Sequence, residues 1–379
     1  MSRLLLLRQE GYDRHELDSA TRKIFEAFDA PSFIRPGASV LLKVNLVAGH
    51  PPERRATTDP AVVRSVTERV LELGAHPVIA DSPGIEPFRS VAEKSGLAAI
   101  ARELGIPCLE LTDSTPLPTT PDSAFKKVEV SRLVLESDVI INLPKMKTHG
   151  QMLLTLGVKN LFGCIVGQRK AEWHYNVGLD CNAFAGLLLE LYLSIAPHLT
   201  IMDGVIGMDG TGPTSGNPYP FGLLAAAQDA LALDFQLARM MGVRLEDFPL
   251  WRVAVARNLP QCELSSQVTG DFPQDHVFPG VKVPLLRGLN LLPRLPFKAF
   301  WDSLMASRPV HVPELCIDCG RCEAVCAAKA LKHRNRRLTF DYTRCIRCYC
   351  CHEMCPVRAI EFRESFLMRL MRLLRGTRS

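Results

Sequence analysis

A chain of 379 residues with 47% hydrophobic and 22% charged side chains has the composition of an ordinary folded protein, long enough for two or three domains. Its net charge is +5, and it has no aromatic-interleaved basic groove, helix-turn-helix or RNP signature, which argues against a nucleic-acid partner. Glu190 splits the best apolar stretch, so no window reaches the roughly 18 uninterrupted apolar residues of a membrane span.

Residues 1 to about 245 alternate short apolar runs with helical patterns, which predicts an α/β domain with a largely parallel sheet. Strands are expected at 3–7, 39–46, 77–80, 108–111, 139–143, 199–202 and 222–227. Leu4 to Leu7 is too short for a signal-peptide core and reads as the first buried strand. Helical patterns are clearest at 15–30 and 59–73, the second opened by Asp59 as N-cap with Pro60 behind it. In such sheets, polar residues at the carboxyl ends of strands gather in one crevice. Lys43, Asn45, Asp81, Ser82 and Gly84 follow their strands closely, and the stretch from Asn142 to Gly150 carries Lys145, Lys147, Thr148 and His149.

These residues suggest an anionic ligand. Lys145, Lys147 and Lys159 supply point charges, His149 is a candidate proton donor near neutral pH, and the loop from Gly210 to Gly216 offers backbone amides as an anion nest. The plain alternative is that the lysines are solvated and the glycines only make turns. Asp203 and Asp209 read either as a metal site or general base, or as turn caps. His174 and His198 read as structural.

The runs LLKVNLV at 41–47, NLPKMKTHG at 142–150, GVKNLFGCIVG at 157–167 and DGVIGMDGTGPTSG at 203–216 resemble, in that order, the domain of unknown function 362 (DUF362). The resemblance spans roughly residues 38–245 and implies a fold and a redox setting, with pairing to a ferredoxin module as a familiar arrangement. No Rossmann glycine fingerprint or P-loop lysine motif is present, so no tightly bound nicotinamide or nucleoside triphosphate is expected.

The large domain is expected to occupy 1–277, followed by a Pro- and Leu-rich linker at 278–307 whose apolar content predicts that it packs along a domain surface. Beyond it the cysteines form a repeat. Cys316, Cys319, Cys322 and Cys326 read C-x2-C-x2-C-x3-C, and Cys345, Cys348, Cys351 and Cys355 repeat that spacing 29 residues on. Three thiolates at this spacing wrap a turn of chain around a soft iron-sulfur core. Zinc, held by two separated C-x2-C pairs, is the weaker alternative. Residues 308–363 resemble the bacterial two-cluster ferredoxins, which implies a small α+β domain with two 4Fe-4S clusters and crossed ligation. The first cluster would take Cys316, Cys319, Cys322 and Cys355, and the second Cys345, Cys348, Cys351 and Cys326. The family's proline after the fourth cysteine is present as Pro356 but replaced by Ala327 in the first run.

Of the other cysteines, Cys164 sits near Lys159 and Arg169 and would be reactive only if those cations lowered its pKa; buried and inert is the expected state. Cys350 reads as packing, and Cys108, Cys181 and Cys262 as filler. Lys and Arg outnumber Asp and Glu about two to one from residue 306 on, partly compensating the negative charge of thiolate-ligated clusters. The tail, 364–379, has the pattern of a basic amphipathic helix, expected to cover the protein's own apolar surface, with peripheral contact to an anionic membrane or a partner as the alternative.

Thiolates that hold iron must stay reduced, so a cytoplasmic location is expected. The leading expectation is an iron-sulfur redox protein that exchanges electrons with an anionic small molecule or a redox partner protein at the large domain. Two alternatives stand beside it: a non-enzymatic carrier or adaptor, and an accessory factor that matures or reduces another enzyme's metal cofactor.

Overall fold

The computed structural model describes residues 2–120, 123–167, 169–178, 180–284 and 308–363. The tail and most of the linker lie outside them. In chain order the large domain contains strands β1 (Arg3–Arg8), β2 (Ser39–Lys43), β3 (His76–Asp81), β4 (Cys108–Glu110), β5 (Ser114–Pro116), β6 (Glu129–Ser131), β7 (Val139–Asn142), β8 (Lys145–His149) and β9 (Leu153–Thr155). They are followed by β10 (Leu199–Asp209), β11 (Asn217–Tyr219), β12 (Leu223–Ala227) and β13 (Gln267–Gly270).

The main sheet has the order β13-β1-β12-β10-β7-β2-β3-β4, with β8 and β11 added to β10 and β9 to β8; β5 and β6 pair separately. Neighbours from β10 through β7, β2 and β3 to β4 are parallel, as expected. The strand expected at 222–227 is present as β12 but runs against both of its neighbours, β1 and β10. A continuous apolar run buried on both faces is the usual pattern of a parallel strand, and β12, LLAAA and buried throughout, has that pattern although it runs antiparallel.

Helices cover both faces of the sheet. Leu5 and Leu7 of β1 point to one side with Val40 and Leu42 of β2, packing against Leu17 and Ile24 of the helix Arg14–Ala27 and Val62, Val66 and Val70 of the helix Pro60–Glu72. Leu4, Leu6 and Leu41 point to the other, against the helices Cys181–Ile195 and Ala230–Met240. The two-residue alternation of a strand makes this division. Asp59 accepts a hydrogen bond from the Ala61 N–H at 3.0 Å and so caps its helix as the sequence predicts. Glu190, which interrupts the most apolar helix, is buried and receives the Thr120 N–H at 2.6 Å. No described helix is long and apolar enough to cross a membrane.

The small C-terminal domain contains β14 (Arg308–His311), β15 (Leu331–Arg334), β16 (Arg337–Phe340) and β17 (Ile360–Arg363), paired antiparallel as β14 with β17 and β15 with β16. The sequence repeat is also a structural one. The one-turn helices Arg321–Ala324 and Cys350–Glu353 are 29 residues apart. So are three residues of positive φ and their partners: Asp318 and Arg347, Gly320 and Tyr349, Lys329 and Arg358. The same left-handed corners at the same places bend each cysteine loop in the same way.

Candidate functional site

The polar residues expected at the strand ends come together, and most of them hold one another. Lys43 Nζ lies 2.8 Å from Asp81 Oδ1, with both side chains out of solvent. Gly163 is required beside this pair, because a Cβ there would sit 2.4 Å from Asp81 Oδ1 and 2.6 Å from Lys43 Nζ. Lys145 Nζ donates to Asp203 Oδ2 at 2.7 Å, and Asp203 also accepts from the Tyr12 hydroxyl at 3.1 Å and the Asp59 N–H at 2.9 Å. Lys147 Nζ donates to Asn45 Oδ1 at 2.7 Å and to the Ala56 carbonyl. Both lysines lie in β8, a wholly buried strand. Burial lowers each, Lys147 to about 7 with Lys159 as the next cause.

From Lys147 a chain of buried amides crosses the site. Asn45 Nδ2 donates to Asn160 Oδ1 at 2.8 Å, and Asn160 Nδ2 donates to Asn142 Oδ1 at 2.8 Å. One asparagine from each of three sequence motifs therefore closes a single network, and every link satisfies a polar atom that could not reach water. Reading each motif separately missed this, although an Asn in each of the three motifs was a visible signal.

Lys159 differs from the other lysines. Among the described residues its Nζ has no hydrogen-bond or ion-pair partner; it lies over the rings of Phe162 and Phe184 at 5.9 and 5.8 Å. It faces a cavity of about 620 Å³ at the carboxyl ends of β2 and β3. One wall carries Asn45, Asp81, Ser82 and His174, and the other is the small domain, with Cys326, Lys329, Cys350 and Glu353. Two more polar atoms on this lining, Thr155 Oγ1 and His174 Nδ1, are buried without a hydrogen bond among the described residues. Burial lowers the Lys159 ammonium and the Glu353 carboxylate opposes that shift. Lys170, also on the lining, is lowered to about 8 by burial while donating to the Ser82 carbonyl at 2.5 Å.

His149 joins the two domains. Its Nδ1 accepts the backbone N–H groups of Gln151 and Met152 at 3.1 and 3.2 Å, which assigns the proton of the neutral ring to Nε2. Nε2 lies 3.1 Å from Glu353 Oε1, in a bent approach that is electrostatic more than a directed hydrogen bond. Burial, with Lys159, pushes His149 down to about 4. Burial would raise Glu353, but His149 and Lys159 outweigh it and hold the carboxyl near about 2. At neutral pH the ring is neutral and the carboxylate charged.

The loop from Gly210 to Gly216 packs closely where an anion nest was expected to open. A Cβ on Gly212 would meet the Thr148 carbonyl oxygen at 2.1 Å. The loop also grips the small domain: Thr214 Oγ1 donates to the Glu353 carbonyl at 2.9 Å, and Arg358 donates to the Gly216 carbonyl at 2.8 Å. Arg321 adds an ion pair with Glu86 at 2.7 Å. Asp209 accepts the Lys282 N–H at 3.0 Å, so the described start of the Pro-rich segment lies along the large domain.

His174 is buried against Phe162 and Phe184, and burial pushes its ring down to about 3. Because the folded value lies below the unfolded one, the unfolded chain takes up a proton below about pH 6.5 that the fold refuses, and stability falls with pH. By pH 5 this amounts to about 2 kcal/mol. His174→Phe should remove that share, so its urea midpoint relative to wild type should rise between pH 7 and pH 5; a constant difference would mean that His174 is protonated in the fold.

Cys164 is buried and its thiol is pushed up to about 12 by burial, so it carries no thiolate at neutral pH. In the repeat, burial raises the Cys322 thiol first, with Cys319 and then Cys355 of the other run close enough to add to it. Burial likewise raises Cys345 first, with Cys348 and then Cys326 of the other run adding to it. One small cavity is lined by Cys326 together with Cys345, Cys348, Cys351 and the neighbouring Cys350. Equivalent backbone donors serve the fourth cysteines: the Ala330 N–H reaches Cys326 Sγ at 3.2 Å and the Ala359 N–H reaches Cys355 Sγ at 3.1 Å. Soft donors around one cavity, with N–H groups aimed at sulfur, suit an iron-sulfur centre.

The Domain of unknown function (DUF362) matches residues 40–239, and the 4Fe-4S dicluster domain matches residues 313–365. A thylakoid-associated protein of Synechocystis is 36% identical over 317 residues, covering 81% of this chain and 97% of that protein. Two solved structures are more distant. A Thermotoga maritima protein from structural genomics has 13% identity and a TM-score of 0.40 over 61% of this chain and 59% of its own. The lactate racemase apoprotein of Thermoanaerobacterium thermosaccharolyticum has 9% identity and a TM-score of 0.35 over 61% and 55%. Neither similarity is strong enough to carry an argument.

Proposed function

This chain belongs to the DUF362 family and carries a 4Fe-4S dicluster domain, which supports an iron-sulfur electron-transfer role, and from that premise we propose that its electrons are exchanged with an anion bound in the cavity between the two domains. Lys159 carries this reading. Its half-buried ammonium lines the cavity with no hydrogen-bond or ion-pair partner among the described residues and with the Glu353 carboxylate as a nearby opposite charge, so an anionic oxygen in the cavity would find a donor free to bind it. Neutral His174 and Thr155 would complete the contacts, since each has a buried polar atom without a hydrogen-bond partner among the described residues. A carboxylate on a partly apolar body suits a lining that also includes Phe162 and Tyr175.

Two 4Fe-4S clusters, held as Cys316, Cys319, Cys322 and Cys355 and as Cys345, Cys348, Cys351 and Cys326, would supply one-electron transfer when bound. Cys326 lines the cavity, so the second set borders the ligand. Lys147 would act at one remove, by fixing Asn45 on the wall, and Lys145 through the Asp203 pair that anchors β8 to β10. His149 would hold the small domain in place through Glu353. Thiolates that hold iron must stay reduced, which fits a reducing compartment such as the cytoplasm.

The test is calorimetric titration of anaerobically purified protein with a panel of small carboxylates and inorganic phosphate. Wild type should bind at least one of them, and Lys159→Gln should bind it at least about tenfold more weakly at unchanged iron content. Equal affinity in the two proteins, or no binding across the panel, would sink the reading.

A further inference from the structure

We propose that the outward face of the small domain, centred on Leu315, Ile317 and Cys319, is a docking surface for an acidic protein. This surface is separate from the cavity and does not rest on the anion reading. Leu315 and Ile317 flank Cys316 and are 45% and 56% exposed. Of the eight repeat cysteines Cys319 alone is exposed, so the same loop presents a cysteine of the first set and two large apolar side chains to solvent.

Beside this loop stands the hairpin of β15 and β16. It is tied there by the Arg336 N–H, which donates to Asp318 Oδ1 at 3.0 Å, and by His333 Nε2, 2.7 Å from the same oxygen. These contacts engage Asp318, and the His333 N–H engages Glu323 at 3.0 Å; among the described residues the exposed Arg334, Arg336 and Arg337 have no carboxylate partner. Arg334 is directly opposite Arg337 in the hairpin register. Like charges in that position destabilise a strand pair, and an acidic partner would relieve the repulsion. An apolar centre with an arginine rim is also the usual anatomy of a protein interface. Arginine at the rim steers encounter and makes the complex salt-sensitive.

The experiment uses the full-length, iron-loaded protein and a plant-type ferredoxin, a small acidic protein, as probe. Binding is measured by calorimetry at low and physiological salt, with cytochrome c as a basic control. Wild type should bind ferredoxin and lose about tenfold in affinity as salt rises, while cytochrome c should not bind. The combined variant Arg334→Glu, Arg336→Glu, Arg337→Glu should lose at least about tenfold at low salt. Ile317→Ser should weaken binding and leave its salt dependence intact. Iron content and thermal midpoint are checked in each variant. Equal affinity of the charge-reversed variant would overturn the proposal. So would retention on phosphatidylglycerol vesicles in place of ferredoxin binding, which would make this a membrane face, or self-association abolished by Ile317→Ser, which would make it a contact between copies.

Discussion

Cys326→Ser should lose the iron-sulfur signal that Cys345→Ser loses, and should leave intact the signal lost in Cys316→Ser. The expectation follows from the cavity that Cys326 shares with Cys345, Cys348 and Cys351, although Cys326 belongs to the other run. Cys355→Ser should pair with Cys316→Ser by the same reasoning, since Cys355 lies beside Cys322. Iron and acid-labile sulfide should fall by about half in each single variant, from about eight irons per chain. Electron paramagnetic resonance of the dithionite-reduced proteins then identifies the surviving centre. If Cys326→Ser instead matched Cys316→Ser, each run would ligate its own cluster. Zinc in place of iron would remove the redox reading altogether.

Asp203→Ala should be among the most destabilising single changes in the large domain, costing about 3–5 kcal/mol in urea unfolding followed by circular dichroism. The change strands the Lys145 ammonium in a site with no exposure and leaves the Tyr12 hydroxyl and the Asp59 N–H without their acceptor. Burial already lowers Lys145, and the Asp203 charge is the largest influence holding its proton. Replacing both partners, Lys145→Met with Asp203→Leu, should recover much of the loss, because the desolvation of two charges disappears with them. The double variant also separates support from ligand contact. If Lys145 only anchors β8, anion affinity should survive in the double variant; if affinity is lost while the fold and iron remain, Lys145 touches the ligand.

Lys145, Lys147 and Lys159 looked equivalent in sequence, three cations in two motifs beside strand ends. Their difference depends on partners far along the chain. Asp203 is 58 residues from Lys145, and Asn45 is 102 residues from Lys147. Local pattern placed β8 next to a buried strand but could not show that its lysines were already engaged. Glu353 escaped notice as part of the site because it lies within the cysteine repeat, where spacing drew attention to sulfur. The Gly210–Gly216 loop was legible as tight backbone, but whether such a loop opens toward an anion or closes on a neighbouring strand depends on what packs against it.

The cysteine repeat, the α/β alternation and the Asp59 cap were determined by the sequence itself, because metal-ligand spacing, apolar periodicity and capping act over a few residues. Which strand runs backwards, which of the three site lysines has no hydrogen-bond or ion-pair partner among the described residues, and which domain closes the cavity were decided by the tertiary structure. Each depends on burial and charge pairing between segments that meet only when the chain has folded.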